Sequence, residues 1–193
     1  MEAGGADRPR AVSAGRLAIA ASLVALAMAM SAVANAGAKT VEVHRLSHNG
    51  PGESVGFVMF SDIEHGLLVT PALHDLEPPG LHGAHIHTHA DCGTASKHGH
   101  MTMGAAAGGH YDPHDTGRHG GPYGQGHLGD LPNLVVEGDG SATIPVLAPR
   151  LRVADLAGRS IMIHAGADHY QNHAASKHGH GKGGVRMYCG VIE

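Results

Sequence analysis

The chain has 193 residues, 42% of them apolar, with 30 glycines, 10 prolines and no tryptophan, a length that suits one domain of ordinary size. A net charge of −4 with 13 Lys and Arg excludes the basic footprint of a nucleic-acid binder, and the apolar fraction excludes intrinsic disorder. The outlying count is 19 histidines, more than Lys and Arg together, and imidazole is the commonest side-chain ligand for zinc and copper.

In chain order, the first element is not expected to join the fold. Arg8, Arg10 and Arg16 precede an apolar run over 17–34 that closes on Ala34-Asn35-Ala36, a small-x-small cleavage site. This reads as a secretory signal over 1–36, with a retained membrane anchor as the alternative because the run approaches spanning length. An exported, mildly acidic domain over 37–193 then remains. Export makes Cys92 and Cys189 most simply a disulfide, and closing a loop that long contributes about 4–5 kcal/mol in the chain-entropy model.

Short runs rich in Val, Ile and Thr, separated by Gly/Pro turns, predict strands over 40–46, 55–62, 67–70, 134–137, 142–147 and 160–164. No segment has the period of a long amphipathic helix, so the pattern favours an antiparallel sandwich or barrel. Two glycine-rich stretches, 91–133 and 165–188, are too long for hairpin loops, and long loops in a small domain usually carry function. The hexapeptide ASKHGH occurs once in each, at 95–100 and 175–180.

The chemistry sits on these loops and the strands beside them. In HGAHIH, over 82–87, His85 and His87 are two apart on an expected strand, so both imidazoles point to one side. His110 in GGHYDP, His119 in RHGGP, and His127 with Asp130 in GHLGD supply three imidazoles and a carboxylate, a closed tetrahedral zinc set that would order a loop unable to order itself. His164 ends an apolar strand in MIHAGAD, with Asp168 four residues on. His85, His87 and His164 leave a redox metal short of a fourth nitrogen; His110 could supply it and bridge two metals, or be a plain zinc ligand.

Seven blocks, LHGAHIH, AGGHYDP, TGRHGGP, GHLGDLP, APRL, MIHAGAD and GGVRMYCGVI, resemble the copper/zinc superoxide dismutases and in particular their exported bacterial branch, in the family's order. The resemblance implies an eight-stranded antiparallel Greek-key β-sandwich, or flattened barrel, with two long functional loops. It implies one copper on His85, His87, His110 and His164, and one zinc on His110, His119, His127 and Asp130. Asp168 matches the carboxylate that links ligands of the two metals, Arg186 the active-site arginine, and Cys92 pairs with Cys189. His82 matches a histidine that hydrogen-bonds backbone. The implied substrate is superoxide, dismuted by alternate reduction and oxidation of copper, with Arg186 attracting the anion and His110 carrying a proton. The implied location is the periplasm, with secretion or membrane anchoring as alternatives and no membrane span after signal cleavage; the chain is expected as a monomer or homodimer.

The sequence departs from the family at Ala84, where an aromatic commonly stands, and over 169–182, which lacks the usual Pro/Leu pattern. A non-catalytic metal buffer and a zinc hydrolase are the other functional classes, but a buffer needs no Arg186 or Asp168, and a hydrolase needs an open zinc. His98, His100, His178 and His180 of the paired hexapeptides belong to neither set; they are either solvated loop residues or auxiliary metal-capture groups.

Overall fold

The computed structural model describes Met1 and residues 37–97, 99–171 and 183–193. The chain divides after Ala36, and the unit Gly37–Glu193 is the one described here. The proposed signal over 2–36 lies outside the described residues, as do His98, His178 and His180.

Among the described residues eleven strands form: β1 Ala38–Ser47, β2 Gly50–Ile63, β3 Gly66–Leu73, β4 Gly80–His82, β5 Ala84–His87, β6 Ala95–Lys97, β7 His100–Thr102, β8 Leu134–Val136, β9 Val146–Ala148, β10 Arg159–His164 and β11 Arg186–Ile192. Every pairing is antiparallel, and one sheet runs β5-β10-β11-β1-β2-β3-β9. β4, which pairs with β8, continues into β5 after a break at Gly83. Counted as one bent strand, β4/β5 joins β8 to the seven-stranded sheet and gives the expected eight. The connections β3 to β4 and β9 to β10 leap across the sheet, as a Greek key requires. β6 and β7 form a small additional hairpin inside the first long loop.

Alternation places the core. Ala84 and Ile86 of β5 and Ile161 and Ile163 of β10 are fully buried in the main cluster with Val43, Phe60 and Tyr188. Each of the isoleucines contributes about 1.5–3 kcal/mol by leaving water. The residues between them, His85 and His87 on β5 and Ser160, Met162 and His164 on β10, therefore face the other side, with Met162 opposite His85 and Ser160 opposite His87. A slip of one residue would exchange the histidines for the core, so the hydrophobic pattern itself fixes where the imidazoles point. Met162 meets the Cys92–Cys189 disulfide in a second, smaller cluster with Leu46 and Ala107.

Candidate metal centre

His85, His87 and His164 are delivered by neighbouring strands. The loop after β7 returns along β5 by backbone pairing: Ile86 N–H donates to Gly129 O (2.8 Å), Tyr111 N–H to Ile86 O (2.8 Å) and Thr88 N–H to Gly109 O (3.1 Å). This places His110 opposite His87 and Asp130 opposite His85 in isolated bridges. The His110 ring stacks on His85 at 3.8 Å between centroids and lies 5.1 Å from His87 and 5.2 Å from both His119 and His127.

Two compact donor groups result, each with ligand atoms within 4.8 Å of one another: His85, His87, His110 and His164, and His85, His110, His119 and Asp130. His110 is common to both. His127 stands at the edge of the second, with Nδ1 3.5 Å from Asp130 Oδ1.

One nitrogen of each strand-borne ring is committed to the protein. His85 Nε2–H donates to Asp168 Oδ2 (2.6 Å), His87 Nδ1–H to Gly108 O (3.0 Å) and His164 Nδ1–H to Gly184 O (2.9 Å). The other nitrogen of each, His85 Nδ1, His87 Nε2 and His164 Nε2, is buried with no hydrogen-bond partner. A buried polar atom without a partner is costly, and three on residues whose donor atoms lie within 4.8 Å of one another fit a metal cation that accepts their lone pairs. The donor set is therefore suited to a metal, and its all-imidazole character to copper.

Asp168 ties the two groups together, since His119 Nε2–H donates to its other oxygen at 2.7 Å. It is itself held: Asp168 N–H donates to Asn133 Oδ1 (2.8 Å), Asn133 Nδ2 to Asp168 O (3.0 Å) and Tyr170 N–H to Asp168 Oδ1 (2.9 Å). Asp130 Oδ2 accepts from the amides of Gly120 (3.1 Å) and Gly121 (3.0 Å), and its Oδ1 lies 2.9 Å from His110 Nδ1.

The electrostatics of the two groups differ. Burial, followed by the neighbouring His110, pushes His85 and His87 well below the ordinary histidine value, and burial brings His164 down to about 4. His110 is lowered by burial despite Asp130. Burial acts the same way on His119, but its hydrogen bonds to Asp130 and Asp168 outweigh it and raise the ring to about 9. Against their own burial, Asp130 and Asp168 are held well below the carboxylate range by the histidines they contact.

The model for copper/zinc superoxide dismutase matches residues 54–192. The chain is 45% identical to superoxide dismutase [Cu-Zn] 2 of Salmonella typhimurium over 173 residues, covering 89% of this chain and 98% of that protein. It superposes on the Cu/Zn superoxide dismutase of Brucella abortus with a TM-score of 0.76 at 41% identity, covering 81% of this chain and 99% of that one. A monomeric copper, zinc superoxide dismutase of Salmonella enterica, solved in solution, gives 0.71 at 46% identity over 81% and 99%. The chain belongs to the copper/zinc superoxide dismutase family.

Beside the dismutase donor groups, Arg186 opens β11. Its guanidinium donates from Nη1 to Gly104 O and from Nη2 to Gly108 O, the latter at 2.7 Å. Gly104 and Gly108 flank a single 3-10 turn, Ala105–Ala107, with φ of 63° and 76°, values open to glycine at little cost. Gly108 O thus fixes both His87 and Arg186, and the disulfide pins the same loop to β11 three residues beyond the arginine. His82 is buried, with Nδ1–H donating to His164 O (2.6 Å) and Nε2 2.7 Å from Pro78 O, the backbone role its place in the family implies. Ala84 sits in the core. His100, at the start of β7, is exposed.

Sequence reasoning missed Asn133, Tyr170 and the carbonyls of Gly104 and Gly108. A lone Asn in LPN and a Tyr in a histidine-rich stretch carry no local signal of a role: the Asn133 side chain meets Asp168 35 positions away, and the Tyr170 hydroxyl accepts from Asn133 N–H (2.6 Å) 37 positions away.

Proposed function

We propose that the chain is a superoxide dismutase converting two superoxide ions and two protons into dioxygen and hydrogen peroxide, with one copper and one zinc as cofactors. The observation that carries this reading is the convergence of three unpartnered buried imidazole nitrogens, from His85, His87 and His164, on a ring shared with a second, carboxylate-bearing group. His85, His87, His110 and His164 hold copper; His110, His119, His127 and Asp130 hold zinc. When bound, copper would supply one-electron redox chemistry and zinc, which has one valence, would supply charge and fixed geometry.

The chain's own groups do the rest. Arg186, half-buried and held by two carbonyls, presents a positive charge that draws a small anion toward His87 in spite of the net negative charge of the whole. Asp168 fixes the orientation of His85 and His119 by accepting one N–H from each. His110, common to both groups, carries one of the protons that peroxide needs. Residues 1–36 form a cleaved secretory signal and 37–193 the enzyme, which acts in the periplasm as a monomer or homodimer. No helix among the described residues is long and apolar enough to cross a membrane.

The test is superoxide decay followed in stopped flow on purified protein with copper and zinc measured, together with peroxide yield. One peroxide per two superoxide, scaling with copper content, is the expected result. Bound metal without superoxide decay makes the chain a metal buffer, and ester or amide hydrolysis scaling with zinc makes it a hydrolase.

A further inference from the structure

Arg150 is half-buried and follows β9 directly after Pro149. Its guanidinium donates four hydrogen bonds, all to carbonyls of one short loop: Nε to Pro122 O (3.1 Å), Nη1 to Gly126 O (3.1 Å), and Nη2 to Gly121 O (3.2 Å) and His127 O (2.5 Å). That loop is the segment between His119 and His127.

The segment has little else to hold it on this side. It reads Gly-Gly-Pro-Tyr-Gly-Gln-Gly, and its one large side chain, Tyr123, is 72% exposed. It curls back on itself through His127 N–H to Arg118 O at 2.8 Å, so tightly that a Cβ at Gly126 would come within 2.3 Å of that carbonyl oxygen. The curl turns the carbonyls of residues 121, 122, 126 and 127 toward one point, where four partial negative charges meet. Left alone they would repel, and their other contacts are weak: Gly121 O accepts a long bond from Gly124 N–H (3.4 Å) and His127 O one from Asp130 N–H (3.5 Å). A guanidinium answers both needs, being always charged and offering five N–H donors in a rigid fork. The amide side of the same loop is held by Asp130, through Gly120 and Gly121, so the loop is gripped from both faces.

We propose that Arg150 is a positioning residue of the zinc half-site, closing the 121–127 loop so that His119 and His127 are presented to zinc together. Its own footing is the sheet, since Ala148, two residues before, pairs with Leu67 of β3. The guanidinium transmits the rigidity of that edge to a loop with no ladder of its own. The inference rests on the zinc assignment made above.

The experiment follows zinc and copper release from the full-chain holoenzyme into excess chelator for wild type, R150M, R150K, R152M and D130A, with backbone amide exchange on the metal-free proteins. R150M is expected to release zinc about 10–100-fold faster, the usual cost of losing a group that supports metal ligands. R150K falls between, because one ammonium cannot span four carbonyls. R152M, which removes a neighbouring charge whose Nη1 reaches only the adjacent Leu151 carbonyl, behaves as wild type. Copper release stays at the wild-type rate in R150M, and exchange rises over 120–127 but not in β1 and β2. Wild-type zinc release from R150M, with zinc lost from D130A, overturns the clamp and leaves the zinc site standing. Zinc retained by D130A overturns the zinc assignment and the clamp with it. Parallel loss of both metals, with exchange rising throughout the sheet, makes Arg150 a general stabilising residue and overturns the proposal. If R150M does not fold, R150K decides by the same readouts.

Discussion

The two half-sites are built in opposite ways. Three of the four rings proposed for copper ride on β5 and β10, where the sheet register and the core residues between them decide their direction. The residues proposed for zinc ride on a segment with isolated bridges and no strand, and they are held by side chains: Asp130 on amides, Arg150 on carbonyls, Asp168 on His119. The strand-borne half takes its form from the sheet alone, whereas the loop half depends on a few side-chain contacts, so metal binding there is expected to add to the folding free energy. The charge pattern follows the same division, with neutral rings on one side and a histidine lodged between two carboxylates on the other.

Removing one ligand from each half is the strongest way to break that contrast. H164A is expected to lose copper and at least about 100-fold in dismutation, exceeding the ~10–100-fold typical of losing a supporting group. D130A should keep copper and lose zinc, with faster amide exchange over 110–130 and little change in β5 and β10. Metal analysis and exchange on the two variants check this, and equal loss of both metals from both would erase the distinction between the halves.

Arg186 belongs to neither half's ligands, yet its carbonyl partners Gly104 and Gly108 sit on the loop that also orients His87. R186E is expected to lower the bimolecular rate by about 10-fold or more at low ionic strength, a modest share of what focused fields can give. Its salt dependence should weaken or invert, since a surface charge is screened over about 10 Å at 0.1 M. Copper content should not change. A rate equal to wild type at low salt would remove Arg186 from substrate capture.

The same division explains what could be read from the sequence. Short Val/Ile/Thr-rich runs bounded by Gly/Pro turns predicted β1, β2, β3, β8 and β10, with β2 starting five residues earlier than expected, because such side chains suit a half-buried pleated sheet and glycine and proline end it. The stretch 142–147 shortened to Val146–Ala148: Pro145 has no N–H for a ladder, and Thr143, Ile144 and Pro145 are exposed. β11 was not among the predicted strands, its run being interrupted by Gly190 and fronted by Arg186. For the site, the HxH spacing in β5 gave a weak local signal, the loop set His110, His119, His127 and Asp130 was expected from its glycine- and proline-flanked imidazoles and carboxylate, and the division of His110 between two metals came from the family resemblance. The supports lay deeper. Arg150 stood in a recognised motif without a role, since its partners are 23–29 positions away and are carbonyls, which every residue has.

The mildest test sharpens the contrast through protons. In the metal-free protein His119, raised to about 9, is protonated at pH 7.5, so zinc added alone must displace that proton, and uptake should release about one. That release should fade as the pH passes 9. The copper-side rings are lowered and already neutral at pH 7.5, so copper added alone should release none there and begin to do so only as the pH falls toward the value of about 4 for His164. Calorimetry in buffers of different ionisation enthalpy measures both. Stability of the metal-free fold should carry the same signature with opposite slopes. The raised His119 stabilises fully below 6.5, and its contribution is lost as pH rises through about 9. The depressed copper-side histidines favour the fold above 6.5, and that contribution is lost as pH falls from 6.5 toward about 4. Thermal midpoints of the metal-free protein should therefore decline on both sides of a maximum near pH 6.5, and D168N, which takes one carboxylate from His119, should flatten the alkaline decline more than the acid one. Equal proton release by the two metals at pH 7.5, or a variant that moves both slopes alike, would mean that the halves share one electrostatic environment after all.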